Sequence, residues 1–280
     1  MISRLAPTPS GYLHAGNAVN FLLTHELVRR HHGHLYLRID DLDRERVRPR
    51  YIDNVFATLD WLGIRCDSGP ADAADFTAHH SQHLRLDRYH ALLARLAATP
   101  GLVYACTCSR AQVAAAAGPT GCYPGTCRDR SLPLSTPDAS WRVHVPDGTR
   151  VTFSDALLGS VELDLAATVG DFVIRRRDGL PAYHVASLAD DVAMGMTLIV
   201  RGEDLLPSTA AQLWLAQQAG APCDAFPRVQ FWHHPLLTTP DGHKLSKSQQ
   251  SPLDQGALHD PSLSPEALRA LALGFLRSRS

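Results

Sequence analysis

The chain has 280 residues, 45% of them hydrophobic and 20% charged, with a formal net charge of -1. That length and apolar content suffice for one large or two modest globular domains, and the near-neutral balance excludes a bulk basic footprint, so any nucleic-acid contact has to come from local patches. No run approaches the roughly 20 apolar residues of a membrane span, and the opening MISRLAPTPS lacks the apolar stretch of a signal peptide, so a cytoplasmic location is the expectation.

Ile2 to Leu5 reads as a short buried strand, stopped by Pro7, Pro9 and Gly11. Apolar periodicity predicts a helix over roughly Ala15 to Arg30, with Val19, Leu22, Leu23 and Leu27 on one face. His34 to Ile39 follows as a second strand, then an acidic loop, then a helix from about Arg50 to Leu62. Strand, glycine-bearing loop, helix and strand form the opening of a nucleotide-binding α/β unit, in which ligands sit beyond the carboxyl ends of the strands.

Leu84 to Leu96 reads as a further helix. Tyr104 to Tyr123 then carries three of the six cysteines, and Arg142 to Asp164 alternates in short strand-like pieces. The expected organisation is a catalytic α/β domain in two halves, 1–99 and 171–250, around an inserted small domain at 100–170, with a tail at 251–280. In the second half, Asp171 to Ile174 and Thr197 to Arg201 read as strands, and Tyr183 to Asp191 and Ser208 to Gln218 as helices. His233 to Ser248 reads as a loop, and a weak helix covers about Pro265 to Leu276.

Two motifs carry phosphate chemistry. In His14-Ala15-Gly16-Asn17, a histidine at a helix start with glycine two residues later lets a phosphate approach outward-pointing backbone N–H groups, and His14 can donate to an oxygen as charge builds there. By itself this tetrapeptide favours a turn with a capping histidine. In Lys244-Leu245-Ser246-Lys247-Ser248, preceded by Pro240-Asp241-Gly242, two lysines on a loop can close over a triphosphate and neutralise departing pyrophosphate.

HAGN and KLSKS resemble the HIGH and KMSKS signatures of class I aminoacyl-tRNA synthetases. Arg4 to Gly11 is similar to the RFAPSPTG opening of the glutamyl-tRNA synthetases, and Arg38 to Asp43 to their RIEDxD. Tyr183 to Asp191 resembles their YHLANVVDD, and Arg201 to Asp204 their IRGEDL. The resemblance runs from Arg4 to Ser248 and implies a Rossmann-type class I catalytic core with ATP as co-substrate and Mg2+ beside it. It implies His14, Gly16, Asn17 and Lys247 as the ATP site, with His14, Asn17, Lys244 and Lys247 acting in catalysis.

For the amino acid, it implies carboxylate binding by Arg4 and Arg201, a hydroxyl from Thr8, a phenol from Tyr183, and Asp40 facing the ammonium group. Asp40 stands where the family has a glutamate, and Ser187 where discriminating members often have asparagine. Asp41 and Asp43 read equally as a solvated acidic loop. Only 33 residues follow Lys247, fewer than an anticodon-binding domain needs. The expectation is the truncated branch of the family, a monomer that activates glutamate and attaches it to the queuosine base in the anticodon loop of tRNA(Asp). Two other readings stay open: a core repurposed for another acceptor, and a catalytically silent RNA-binding paralogue.

Four of the six cysteines fall between positions 106 and 127. Thiolates at such spacing can bind zinc and staple a small domain. Cys106, Cys108 and Cys127 are the expected ligands. The residues alone suggest Cys122 as the fourth, whereas resemblance to the short synthetases, with their Cys-x-Cys and Tyr-x-x-x-Cys, implies Tyr123. Arg175-Arg176-Arg177 is the one dense basic run and could meet RNA phosphates or simply charge a turn. The fifteen histidines show no ligand spacing and most are expected at the surface.

Overall fold

The computed structural model describes residues 1–117, 121–237 and 256–277. In chain order its strands are β1 (Ile2–Leu5), β2 (His34–Leu37), β3 (Val103–Cys106), β4 (Ser140–Val143), β5 (Arg150–Asp155), β6 (Gly159–Asp164), β7 (Val173–Arg175), β8 (Leu198–Gly202) and β9 (Gln230–His234). Its longer helices are α1 (Ala15–Arg30), α2 (Pro49–Leu62), α3 (Leu86–Ala97), α4 (Tyr183–Ala193), α5 (Leu206–Ala219) and α6 (Pro265–Arg277). The chain forms two compact units: Met1–Leu84 with Met196–Asp204 and Gln230–Ser280, and Arg85–Gly195 with Leu205–Val229. No described helix is long and apolar enough to cross a membrane.

In the first unit β1 and β2 pair in parallel, with Arg4 opposite Tyr36. A parallel pair needs a crossover, and α1 supplies it, burying Val19, Leu22, Leu23 and Leu27 on the face the periodicity predicts. β1 is tied along its other edge to the start of β8. Thr197 N–H donates to Ile2 O at 2.9 Å, Ile2 N–H to Thr197 Oγ1 at 2.7 Å, and the Ser3 hydroxyl to Leu198 O at 2.9 Å. β8 and β9 then pair in parallel, with Arg201 opposite His233.

The region after Gln230 differs from expectation. His233 and His234 close a buried strand, at 0% and 4% exposure, where a surface loop was expected. Parallel strands covered on both faces carry no solvent-facing alternation, so these polar residues gave no sign of their position. Helix α6 docks in this unit through Arg269, which pairs with Glu26 of α1 and donates to Leu62 O of α2 at 3.0 Å.

In the second unit β3, β4 and β7 form an antiparallel sheet in that order. β5 and β6 form an antiparallel hairpin whose turn is fixed by Asp155, which accepts from Leu157 N–H and Leu158 N–H. Helices α3 and α4 are joined through Asp190, which is fully buried. It accepts from Arg85 at 3.0 Å, from Arg88 at 3.0 Å and from the Tyr89 hydroxyl at 2.8 Å. Burial, and then the charge of Asp190, push the Tyr89 phenol well above its usual range, so it stays a donor.

Candidate functional site

The first cluster is built at the carboxyl ends of β1 and β2. Beyond β1 the chain runs on beside the residues that follow β2: Arg38 N–H donates to Leu5 O and Asp40 N–H to Pro7 O, both at 2.9 Å. The Arg4–Gly11 and Arg38–Asp43 segments are therefore laid side by side by backbone bonds. Pro7 and Pro9 lack a donor and hold φ, which keeps this loop extended. Thr8 is exposed on the loop, whereas Arg4 on β1 and Arg201 on β8 are 5% and 3% exposed.

Asp40 is also buried, and its carboxylate is engaged by the Arg38 fork, Nε at 2.7 Å and Nη2 at 3.1 Å. Asp41 corrects the reading of a solvated acidic loop. It is 7% exposed and accepts from Gln82 N–H at 2.7 Å and from the Ser81 hydroxyl. Its partners lie 40 residues away, beyond the reach of a local pattern.

Leu13 N–H donates to the buried Asn54 amide oxygen at 2.9 Å, which anchors the chain just before α1. His14 is the N-cap of α1. Its Nδ1 accepts from Gly16 N–H at 3.1 Å, while Asn17 Oδ1 accepts from His14 N–H at 3.1 Å. This reciprocal arrangement satisfies two orphan donors. With Nδ1 accepting, a neutral ring carries its proton on Nε2. Any Cβ at Gly16 would stand 3.0 Å from His14 Cε1 and 3.1 Å from Nδ1, so glycine is what lets the ring lie against the helix start. Lys244 and Lys247 lie outside the described residues.

In the second unit, Tyr183 and Ser187 sit one turn apart on α4. Tyr183 is 41% exposed with its ring 5.4 Å from that of His184, and Ser187 is 1% exposed.

The same unit holds the cysteine cluster. The sulfurs of Cys106 at the end of β3, Cys108 and Cys127 lie within 4.8 Å of one another, and those of Cys108 and Cys127 are 3.5 Å apart. The Tyr123 hydroxyl stands among them, 3.3 Å from Cys106 Sγ and 3.4 Å from Cys108 Sγ, and accepts from Cys127 N–H at 3.0 Å. Cys122 turns its thiol instead to Ala167 O at 3.3 Å. Sulfurs sharing one tetrahedral zinc stand roughly 3.8 Å apart, so three thiols and one hydroxyl at these separations fit a single such ion.

The electrostatics favour anionic sulfur at one position. Burial raises the Cys127 thiol, but hydrogen bonds from Tyr123, Thr107 N–H, Cys108 and Arg130 outweigh it and bring it down to about 6. Burial holds Cys108 up despite its bond to Tyr123. Burial and the neighbouring thiols raise the Tyr123 phenol.

The basic run beside this cluster is engaged within the chain, although Arg177 remains exposed. The Arg175 guanidinium lies 4.9 Å from the Trp141 ring centre, Arg176 pairs with Asp178 at 2.7 Å, and Arg177 donates to the carbonyls of Thr107 and Cys108 at 2.7 and 2.6 Å.

Comparison with known proteins places this geometry. The family described as class I tRNA synthetases (E and Q), catalytic domain, matches residues 1–276. The chain is 42% identical over 274 residues to the glutamyl-Q tRNA(Asp) synthetase of Ectopseudomonas mendocina, covering 98% of this chain and 85% of that protein. It is 41% identical to the protein of the same name from Pseudomonas syringae, covering 98% and 84%. Among solved structures it resembles glutamate-tRNA synthetase from Elizabethkingia anophelis, with a TM-score of 0.72 and 28% identity over 88% of this chain. It spans about half of that synthetase, 52% of its length.

Proposed function

The chain belongs to the catalytic-domain family of class I tRNA synthetases for glutamate and glutamine, where it groups with the glutamyl-Q tRNA(Asp) synthetases; from that premise we propose that it activates glutamate with ATP and transfers it to the queuosine base of tRNA(Asp). The observation that carries this reading is the joining of Arg4–Gly11 to Arg38–Asp43 by backbone bonds at the carboxyl ends of parallel strands, in the same unit as a glycine-opened helix start. That is where an open α/β sheet binds its ligands.

In the proposed first step a glutamate α-carboxylate oxygen bonds to the α-phosphorus of ATP, the bond to the bridging oxygen breaks, and pyrophosphate leaves. His14 donates from Nε2 to a phosphate oxygen, with Gly16 and Asn17 shaping the approach. Lys244 and Lys247 neutralise the leaving pyrophosphate. Arg4 and Arg201 bind substrate carboxylate, with Thr8 and Asp40 in the same unit, and the family resemblance also assigns Tyr183 and Ser187 a part in recognising the amino acid. When bound, magnesium shields the triphosphate. The acceptor then displaces AMP from the adenylate and keeps the glutamyl group.

Cys106, Cys108, Tyr123 and Cys127 would hold a zinc ion that staples two loops of the second unit. We place the enzyme in the cytoplasm as a monomer that meets the anticodon loop of tRNA(Asp).

One observation favours a second reading of specificity. The Asp40 carboxylate is already gripped by Arg38 at both oxygens, which supports a pocket that takes a glutamate-like acid other than glutamate. Amino-acid-dependent ATP–pyrophosphate exchange, run without RNA across the amino acids, separates the two. Exchange with glutamate alone supports the leading reading, and exchange only with another acid removes it.

A further inference from the structure

The arginines around the cysteine cluster come from three separate segments, and each touches a different part of it. Arg142, on β4, lays its guanidinium over the Tyr123 ring, 3.9 Å from the ring centre. Arg177, beyond β7, donates to the carbonyls of Thr107 and Cys108, which clasps the Cys-x-Cys turn. Arg130 directs Nη1 at the Cys127 sulfur, 3.6 Å away.

Arg142 is itself held in place. Its Nη1 donates to Asp171 O at 2.8 Å, and the Asp171 carboxylate is fixed by the Tyr104 hydroxyl at 2.6 Å, by Arg128 at 2.9 Å and by Val145 N–H at 2.8 Å.

Tyrosine is a weak choice beside cysteine for a fourth ligand, and a set of three thiolates and a phenolate leaves excess negative charge on a divalent ion. A planar cation stacked on the ring offsets that charge and fixes the ring's orientation without competing for the oxygen. We infer that Arg142 is a positioning residue for the metal centre, acting through the Tyr123 ring, with Arg130 and Arg177 completing a guanidinium collar. This rests on the zinc reading above. It also gives Arg177, from a run that could have met RNA, a partner inside the protein. Outer-shell groups of this kind commonly change metal affinity by about 10–100-fold.

The test is the zinc dissociation constant of the full chain, measured by competition with a chromophoric chelator. Arg142→Met should weaken zinc by about tenfold or more, and Arg130→Met and Arg177→Met should each weaken it less. In a Tyr123→Phe background the same Arg142→Met change should cost no more than about threefold, because the group it acts through has lost its oxygen.

Arg142→Lys keeps a charge while losing the planar stack and should fall between, which supplies a measurement if Arg142→Met does not fold. An unchanged dissociation constant in both Arg142 variants overturns the inference and leaves the zinc reading standing. So does an equal loss with and without the Tyr123 hydroxyl, or a thermal destabilisation of the chelated protein as large as that of the zinc-loaded one. A wild-type chain that binds no zinc overturns the zinc reading together with this inference.

Discussion

The imidazole of His14 rests against the backbone of Gly16, its Nδ1 accepting the Gly16 N–H at 3.1 Å, so close that a Cβ there would make a tight contact with the ring. A methyl at position 16 would stand 3.0 Å from the ring, which would have to give way by a few tenths of an ångström.

Gly16→Ala should therefore separate catalysis from stability. Alanine is the better helix former by up to about 1 kcal/mol, so the denaturation midpoint should hold or rise. Turnover in ATP–pyrophosphate exchange should fall by about tenfold or more, as expected when a catalytic group is misplaced by a fraction of an ångström. Full turnover in the variant would mean that His14 does not act from this position.

Asp190 carries a different weight. It is fully buried and serves Arg85, Arg88 and Tyr89 together. Removing one partner of a buried ion pair costs on the order of 3–5 kcal/mol; Arg88 is 40% exposed at its side chain, so solvent screens its share and the lower end applies. Asp190→Ala should lose about 3 kcal/mol by urea denaturation, and a loss under about 1 kcal/mol would place the joint between α3 and α4 elsewhere.

What the sequence made legible follows from the range of the interactions involved. β1 and α1 fall where local pattern puts them because their apolar spacing and flanking prolines act within a turn or two. Asp41, His233, Arg175 and Arg177 were misjudged or left open, and each is defined by distant partners: Ser81 and Gln82 for Asp41, β8 for His233, Trp141 for Arg175 and Thr107 for Arg177. Asp171 was read only as a strand residue, yet it anchors Tyr104, Arg128 and Val145. An acid leading the apolar run Phe172-Val173-Ile174 is the signal that could have marked it. Between the adjacent residues 122 and 123, opposite side-chain directions decide which joins the thiols, and residue type alone leaves that open.

Metal analysis turns that choice into an outcome. About one zinc per chain is expected for a single four-ligand site, lost in Cys106→Ser and Cys127→Ser and retained in Cys122→Ser, whose thiol faces Ala167. Zinc lost in Cys122→Ser and kept in Tyr123→Phe would reverse the assignment of the fourth ligand.

His234 gives the first unit a pH dependence. Burial lowers its pKa below the usual 6.5, outweighing the Pro235 carbonyl and Asp204, with His233 adding to the lowering. Its ring is stacked on Phe275 and bonded to the Asn20 amide at 3.0 Å. The unfolded chain then binds the proton more tightly than the folded one, so stability is full above about 6.5 and is lost as pH falls from there toward the lowered folded value. Urea midpoints should drop between pH 7.5 and 5.5, and by less in His234→Gln. Equal drops in both proteins would assign the effect to other groups.

The central claim concerns where the glutamyl group goes. The adenylate formed beside His14 would meet a base turned out of the anticodon loop, at a modest unstacking cost. The direct measurement is transfer of labelled glutamate to tRNA(Asp) that carries queuosine and has had its 3′ CCA trimmed. The account predicts label on that trimmed tRNA and none on tRNA(Asp) lacking queuosine. Label that requires the CCA end, or that appears on no tRNA while exchange with glutamate proceeds, would contradict it.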